Sequence, residues 1–461
     1  MQYRIHAVIK KLTGWTTLSV NRQILAASFT VGFASVLVKS VSFVKEIFVA
    51  FYFGTDRALD VFIMAMALPA FGISVLGGAI QSAFIPTYLE VLHRDGRGAA
   101  SSLLGSVTII YGGLLIGLSV ILVFTARWLL PMVASGFTSV ELAETIHVFY
   151  WLIAVLVVTG VARLYSALLA AEHRFALPTL ATSTTPICTI AVMLAAYAQL
   201  GIYALVSAAI SGAIFELLIM IIAMRRMSVM PYFGQLRLTF DLRQVISQFF
   251  PLIAGTILMA GTTITDQIMA AMLPSGSVAA LSYGNKLPAV TIMLISGAIG
   301  TAVLPYFSRM IAARDWSAAK ATYKTFIRMA FITSLPLALL LIGLSRLIIQ
   351  IVFQHGAFTS ADTTTVSEVQ MCLLLEIPFY IVAILAVRMI TAMKKTLILV
   401  WGAAISLVLN VALNYILMRI WGVAGIALST SVVYFVSMLY LLYMAGRLLK
   451  AENMSRISPG A

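Results

Sequence analysis

The sequence predicts an all-α integral membrane protein of about twelve transmembrane helices, in two pseudo-symmetric six-helix lobes around a central cavity. Three observations predict it: the composition, the one-sided placement of lysine and arginine, and an internal repeat. Of 461 residues, 61% are hydrophobic and only 10% are charged, against about 45–50% and 25% in soluble domains. A soluble chain of this length could not cover its surface with so few charges, and the mean hydropathy is +1.03.

The chain reads in order as follows. Residues 1–22 form a basic segment in which Arg4, Lys10 and Lys11 lie among Ile5, Val8, Ile9, Leu12 and Trp15. That pattern suits a helix lying in the membrane interface, and it lacks the apolar core and small-residue site of a cleavable signal. A bilayer takes about 20 apolar residues per helix. Segments of that kind run near 24–53, 60–88, 101–126, 145–172, 177–200, 202–224, 244–273, 278–308, 325–353, 365–392, 396–419 and 422–446. The first carries Lys39, Lys45 and Glu46, and the second opens on Asp60. The third has Gly113 and Gly117, a spacing for close helix packing. Arg163 falls in the fourth and Glu216 in the sixth. The stretch 227–243, with Pro231, Gly234 and Asp241, is the one long polar link. It divides an N-terminal lobe (23–226) from a C-terminal lobe (244–449), and a tail follows over 450–461. The seventh segment carries Asp266 and Gln267, the eighth Asn285 and Lys286, and the tenth Glu376 and Arg388. Pro69, Pro86, Pro251, Pro288 and Pro305 lie within segments, where each removes a backbone hydrogen bond and favours a kink.

Orientation follows from the basic residues. Twenty of the 30 lysines and arginines fall on the side of the N-terminus, including Arg94, Arg97, Arg174, Arg225, Arg226 and Lys394. Four fall on the other side: Arg57, Arg127, Arg346 and Arg419. This places both termini in the cytoplasm and accounts for the net charge of +14 without nucleic acid. The repeat is carried by Leu68-Pro69-Ala70, Gly78-Ala79-Ile80 and Pro86, which recur as Leu287-Pro288-Ala289, Gly297-Ala298-Ile299 and Pro305. Phe137-Thr138-Ser139 recurs as Phe358-Thr359-Ser360, and Gly201 has its counterpart near Gly422. Six helices per half keep the copies parallel, a common plan of secondary transporters with the substrate site between the halves.

Charges within the membrane cost about 2.5–3.5 kcal/mol each on insertion scales and usually face an interior or a wet cavity. Lys39 pairing with Glu46, and Asp266 with Lys286, would neutralise some of them structurally. Lysines from both halves nevertheless suggest a cationic cavity, which suits an anionic ligand and phosphate above all. Lys39 and Lys45 are about 120° apart on a straight helix, so both line one cavity only if the helix bends or the cavity wraps around it. Two cysteines, Cys188 and Cys372, and five scattered histidines give no disulfide framework and no metal spacing. Neither a metal nor a cofactor is expected.

Several stretches resemble the MurJ/MviN family, flippases of lipid-linked cell-wall precursors in the multidrug/oligosaccharidyl-lipid/polysaccharide exporter superfamily. They are Phe53-Gly54 with Asp60, Ser82-Ala83-Phe84-Ile85-Pro86-Thr87-Tyr88, Tyr283-Gly284-Asn285-Lys286-Leu287-Pro288, Leu304-Pro305-Tyr306-Phe307-Ser308 and Gly356-Ala357-Phe358-Thr359-Ser360-Ala361-Asp362-Thr363. The resemblance implies two lobes forming a V and alternating access that carries a polyprenyl-diphosphate-linked saccharide across a bacterial cytoplasmic membrane. The family's functional basic residues fall on Lys39, Lys45 and Lys286, and its helix 2 aspartate on Asp60. Its basic pair on helix 2 meets uncharged Ile73-Ser74, its next acidic residue meets Gly77, and a later one meets Ala289. The family also carries two further helices that form a lipid-tail groove.

The expected headgroup set is therefore Lys39, Lys45, Lys286, Asp60 and Asn285, with Asp266, Gln267 and Glu46 as coupling or cavity-polar groups. The expected partners are the lipid-linked saccharide, membrane lipids, a monovalent ion or proton, and cell-envelope synthesis proteins. The departures leave the glycan open between peptidoglycan lipid II and an exopolysaccharide or O-antigen unit. A cation-coupled drug antiporter of the same superfamily is the other transporter reading, although its cavity would be expected to lean acidic. A membrane glycosyltransferase lacks the loop with paired carboxylates that it needs. A non-transporting scaffold would leave the intramembrane lysines as an unexplained cost.

Overall fold

The computed structural model describes residues 20–234 and 239–457. The N-terminal basic segment, up to residue 19, and the end of the tail lie outside the described residues. The helices are α1 (Val20–Phe53), α2 (Arg57–Val133), α3 (Ser139–Ala171), α4 (Ala176–Ala181), α5 (Thr184–Leu200), α6 (Ile202–Arg226) and α7 (Phe240–Ala270). They continue with α8 (Ser277–Gly284), α9 (Lys286–Ala312), α10 (Trp316–Phe353), α11 (Ser360–Leu374), α12 (Glu376–Ala392) and α13 (Leu397–Ile457).

Two helices double back at a point. In α2 the backbone leaves helical geometry at Gly96, with φ 81°, and Gly72 on the first arm lies beside Leu118 on the second. In α13 the break is at Trp421 and Gly422, and Gly402 lies beside Tyr440. The reversals need φ values that glycine adopts without a Cβ clash. Three other passes are interrupted without turning, between α4 and α5, α8 and α9, and α11 and α12. Each second helix has proline as its third residue: Pro186, Pro288 and Pro378. The missing N–H would have bonded four residues back, so the helix breaks at Thr182–Ser183, Asn285 and Leu375 respectively. Pro69, Pro86 and Pro251 sit inside helices that continue through them. Nine stretches among the described residues are long and apolar enough to cross a membrane. With α2 and α13 each counted twice and α1 added, the described chain makes twelve passes.

The repeat is visible in the backbone. Gly201 (φ 53°, ψ −125°) and Gly422 (φ 55°, ψ −135°) share one conformation. His173 and Lys394 share a positive φ of 60° and 59°. Thr138 with Glu141, and Thr359 with Asp362, form matching capping boxes at the starts of α3 and α11, each satisfying two N–H groups that a helix start leaves free. The outer faces carry Phe124, Trp128 and Val408, each at least 70% exposed. A water-soluble protein would hide such a surface; here it meets lipid.

Two seams join the halves. At the end opposite the basic residues, Phe53, Leu59, Tyr283, Phe353 and Phe358 pack in one cluster, and the Ala357 amide donates to the Phe51 carbonyl at 2.8 Å. At the basic end, Leu242, Val245 and Phe249 of α7 join the α2–α3 core. There Arg94 meets Asp241 at 3.0 Å, and the Tyr232 amide donates to the Ser101 carbonyl at 3.0 Å. The cavity lies between these seams.

Candidate substrate-binding cavity

A cavity of about 380 Å³ is lined by α1, α7, α8, α9, α11, α12 and α13. α1 contributes Lys39, Ser42, Phe43 and Glu46. Those positions follow the three- and four-residue spacing of one helical face, so no bend is needed to present them. Lys45 is off that face and is absent from the cavity wall. Its ammonium instead reaches Oε1 of Glu46 at 2.6 Å, and Lys286 Nζ reaches the same oxygen at 3.0 Å. The expected pairs were Lys39 with Glu46 and Asp266 with Lys286; the carboxylate of Glu46 takes Lys45 and Lys286 because both converge on it. Lys39 lines the wall and forms no ion pair among the described residues.

The opposite wall is acidic but differently supported. Asp266 Oδ1 accepts from the side-chain amides of Asn410 at 2.9 Å and Asn414 at 2.7 Å, and Oδ2 accepts from the Thr430 hydroxyl at 3.1 Å. Three neutral donors hold this carboxylate, and no cation pairs with it among the described residues. Glu376, 5% exposed, lines the same wall at the α11–α12 break, with Tyr434 nearby. Asn285 and Gln267 also line the cavity. Asn285 is the junction residue between α8 and α9, and Pro288 breaks the helix there, which sets Lys286 at the first position of α9. A second cavity of about 400 Å³ shares Thr263 and Gln267 with the first and continues along Ala67, Ala70, Phe71 and Ser74 of α2.

Asp60 stands apart. Expected among the headgroup residues, it is 2% exposed and lies outside both cavities. Its two oxygens accept from the Gly276 amide at 2.6 Å and the Ala279 amide at 2.7 Å, capping the start of α8. This satisfies N–H groups that a helix start leaves free and places a negative charge where the helix dipole favours it. Asp60 thus ties α2 of one half to α8 of the other at the seam opposite the basic end, and both of its oxygens are occupied. Sequence reasoning passed over Asn410, Asn414, Thr430 and Tyr434. The signal was there: Asn410 and Asn414 are four apart in an apolar segment, which puts two amides on one face.

The family model described as lipid II flippase MurJ matches residues 49–458. A probable lipid II flippase MurJ of Synechocystis sp. is 25% identical over 434 residues, covering 90% of this chain and 80% of the relative. The lipid II flippase MurJ of Burkholderia cenocepacia is 24% identical over 351 residues, covering 74% and 68%. Among solved structures, a lipid II flippase MurJ in an inward closed conformation superposes with a TM-score of 0.78 at 22% identity, covering 90% of this chain and 87% of that one. An inward-facing multidrug resistance MATE transporter of the MOP superfamily superposes equally well, at 0.78, with 12% identity and coverage of 91% and 95%. Both superpositions speak to the fold.

Proposed function

We propose a transport cycle from one premise: the chain belongs to the lipid II flippase MurJ family. It is a multi-pass membrane transporter, and its cargo is lipid II, a polyprenyl-diphosphate-linked saccharide. The single observation that carries the cycle is the shared oxygen of Glu46, which two lysines from opposite halves hold at once. Lys39 and Lys286 on the wall, with Lys45 just off it, surround the one carboxylate of Glu46, a local excess of two positive charges that matches a diphosphate diester. Lys39, which forms no ion pair among the described residues, makes the first contact within the central cavity. The diphosphate then replaces Glu46 at Lys286, because a phosphate offers more acceptor oxygens and more charge than a carboxylate. Lysine serves here as a point charge that follows a moving headgroup without a fixed fork geometry.

Asn285 and Gln267 bond the sugar-proximal part of the headgroup, and the polyprenyl tail stays in lipid. Asp266 takes up the monovalent ion or proton that drives the return. Its support is a carboxylate at the cavity wall, held only by neutral donors. The two seams open in turn, the Arg94–Asp241 end to the cytoplasm and the Asp60–α8 end to the outside. The basic excess on the N-terminal side supports a bacterial cytoplasmic membrane location with both termini inside. The flanking partners are the enzymes that make and consume the lipid-linked saccharide.

Flipping of a labelled lipid-linked disaccharide in proteoliposomes tests the cycle. Lys286→Ala, which removes the cation common to headgroup and carboxylate, lowers the rate by at least about tenfold, as expected for losing a charged hydrogen bond. An unchanged rate removes the lysine clamp.

A further inference from the structure

Arg163 has no role in the cycle above, yet it is exposed within a membrane-spanning helix. The lipid-facing stripe of α3 contains His147, Trp151 and Ala154, all exposed. At 100° per residue, Arg163 lies about 160° away from His147, so its exposure opens to the lobe interior and not to lipid. Its stem lies over Gly77 of α2, where an added Cβ would meet Arg163 Cγ at 3.2 Å. A larger residue at 77 would displace the arginine. Gly77 sits about 20° from Ala70 on the helix wheel, and Ala70 lines the second cavity. That cavity joins the central one through Thr263 and Gln267. The stem of Arg163 therefore packs beside the α2 face that continues the wall of a mostly apolar passage into the polar central cavity. Glu216, 4% exposed, and Tyr111 lie within electrostatic reach of the guanidinium. Even so, Arg163 forms no ion pair among the described residues, and the buried Tyr111 hydroxyl has no hydrogen-bond partner there.

We propose that Arg163 is an entry station that receives the phosphate of the lipid-linked substrate before Lys39 and Lys286 do. This deepens the flippase reading and rests on it. The cavities give the order: Arg163 packs beside the α2 face that continues the wall of the second cavity, and that cavity joins the central one where Lys39 and Lys286 lie. A headgroup coming from the basic side meets an arginine, then a free lysine, then the carboxylate-held lysine. Arginine suits the first position, since its planar fork captures a phosphate in two contacts. Glu216 offsets the charge while the station is empty, so a lone cation is tolerated in the membrane.

The test uses Ser74→Cys, on the wall of the second cavity, with Arg163 kept or replaced by glutamine, and separately Arg163→Cys, each in a chain whose Cys188 and Cys372 are replaced by alanine, in vesicles exposing the cytoplasmic face. A water-soluble cationic thiosulfonate labels the cysteine at 74, and polyprenyl diphosphate slows that labelling by at least about tenfold when Arg163 is kept and not in Arg163→Gln. Neutral polyprenol and phosphatidylglycerol leave the labelling rate unchanged. Flipping lost in Arg163→Cys returns when the reagent leaves an ammonium group and stays lost with an anionic reagent, a pattern that a folding defect would not produce. Absence of labelling, labelling without protection, or equal protection by phosphatidylglycerol overturns the station. Lys286→Ala run alongside keeps the two readings apart. Normal flipping in that variant with Arg163-dependent protection at 74 overturns the clamp alone; lost flipping with labelling at 74 unprotected although Arg163 is kept overturns the station alone.

Discussion

In the proposed cycle, Glu46 holds the place that a phosphate is to take. Its carboxylate is 14% exposed and touches two ammonium groups, so it keeps Lys45 and Lys286 from facing each other as unscreened like charges. It also sets the affinity, because the headgroup must compete with it. Glu46→Gln keeps the shape and removes the charge. Purified protein with this change is expected to bind polyprenyl diphosphate about tenfold more tightly and to release it more slowly, so turnover falls while affinity rises. Weaker binding would mean that Glu46 builds the site instead of occupying it. At this scale the sequence revealed the residue types but not their pairing. Lys39, Asn285, Lys286, Glu46, Asp266 and Gln267 line the cavity, whereas Lys45 and Asp60 do not. Helix angle alone separates Lys45 from Lys39, and that much was legible. What became of Asp60 was not, because its partners are backbone amides of a helix more than 200 positions away, which no local pattern encodes.

The helices show why boundaries are harder to read than existence. All twelve apolar segments appear, but the expected link between the second and third shrinks to a reversal at Gly96, and α10 begins at Trp316, well before the apolar run. Polar residues extend helices beyond the bilayer, and hydropathy does not register them. Proline placement is ambiguous for a physical reason. Pro186, Pro288 and Pro378 break their passes, whereas Pro69, Pro86, Pro131, Pro251 and Pro336 do not, and neighbouring helices decide which occurs. The start of α8 is the most constrained of these places. Gly276 has φ 91°, and an added Cβ would lie 2.5 Å from the Thr55 carbonyl oxygen. Gly276→Ala is therefore expected to cost about 1–3 kcal/mol and to lower the thermal midpoint in detergent. It should also disturb the amide that caps on Asp60. An unchanged midpoint would show that α8 can start elsewhere.

Over the whole molecule, the two halves meet at both ends and leave a polar chamber between them. The paired backbone signatures at Gly201 and Gly422, and at His173 and Lys394, bear out the repeat that proline spacing first indicated. The seams differ in chemistry. The seam opposite the basic end is a buried apolar cluster with Asp60 capping a helix across it. The basic end adds an exposed Arg94–Asp241 pair, which salt screens and which contributes little by itself. The central claim is that lysines from both halves grip one diphosphate. Its most direct measurement is the binding of polyprenyl diphosphate, against neutral polyprenol, to the purified protein and to Lys39→Ala/Lys286→Ala. The account predicts selective binding of the diphosphate by the unaltered chain and a loss of at least about a hundredfold in the double variant. Equal affinity of the two proteins for the diphosphate would contradict it.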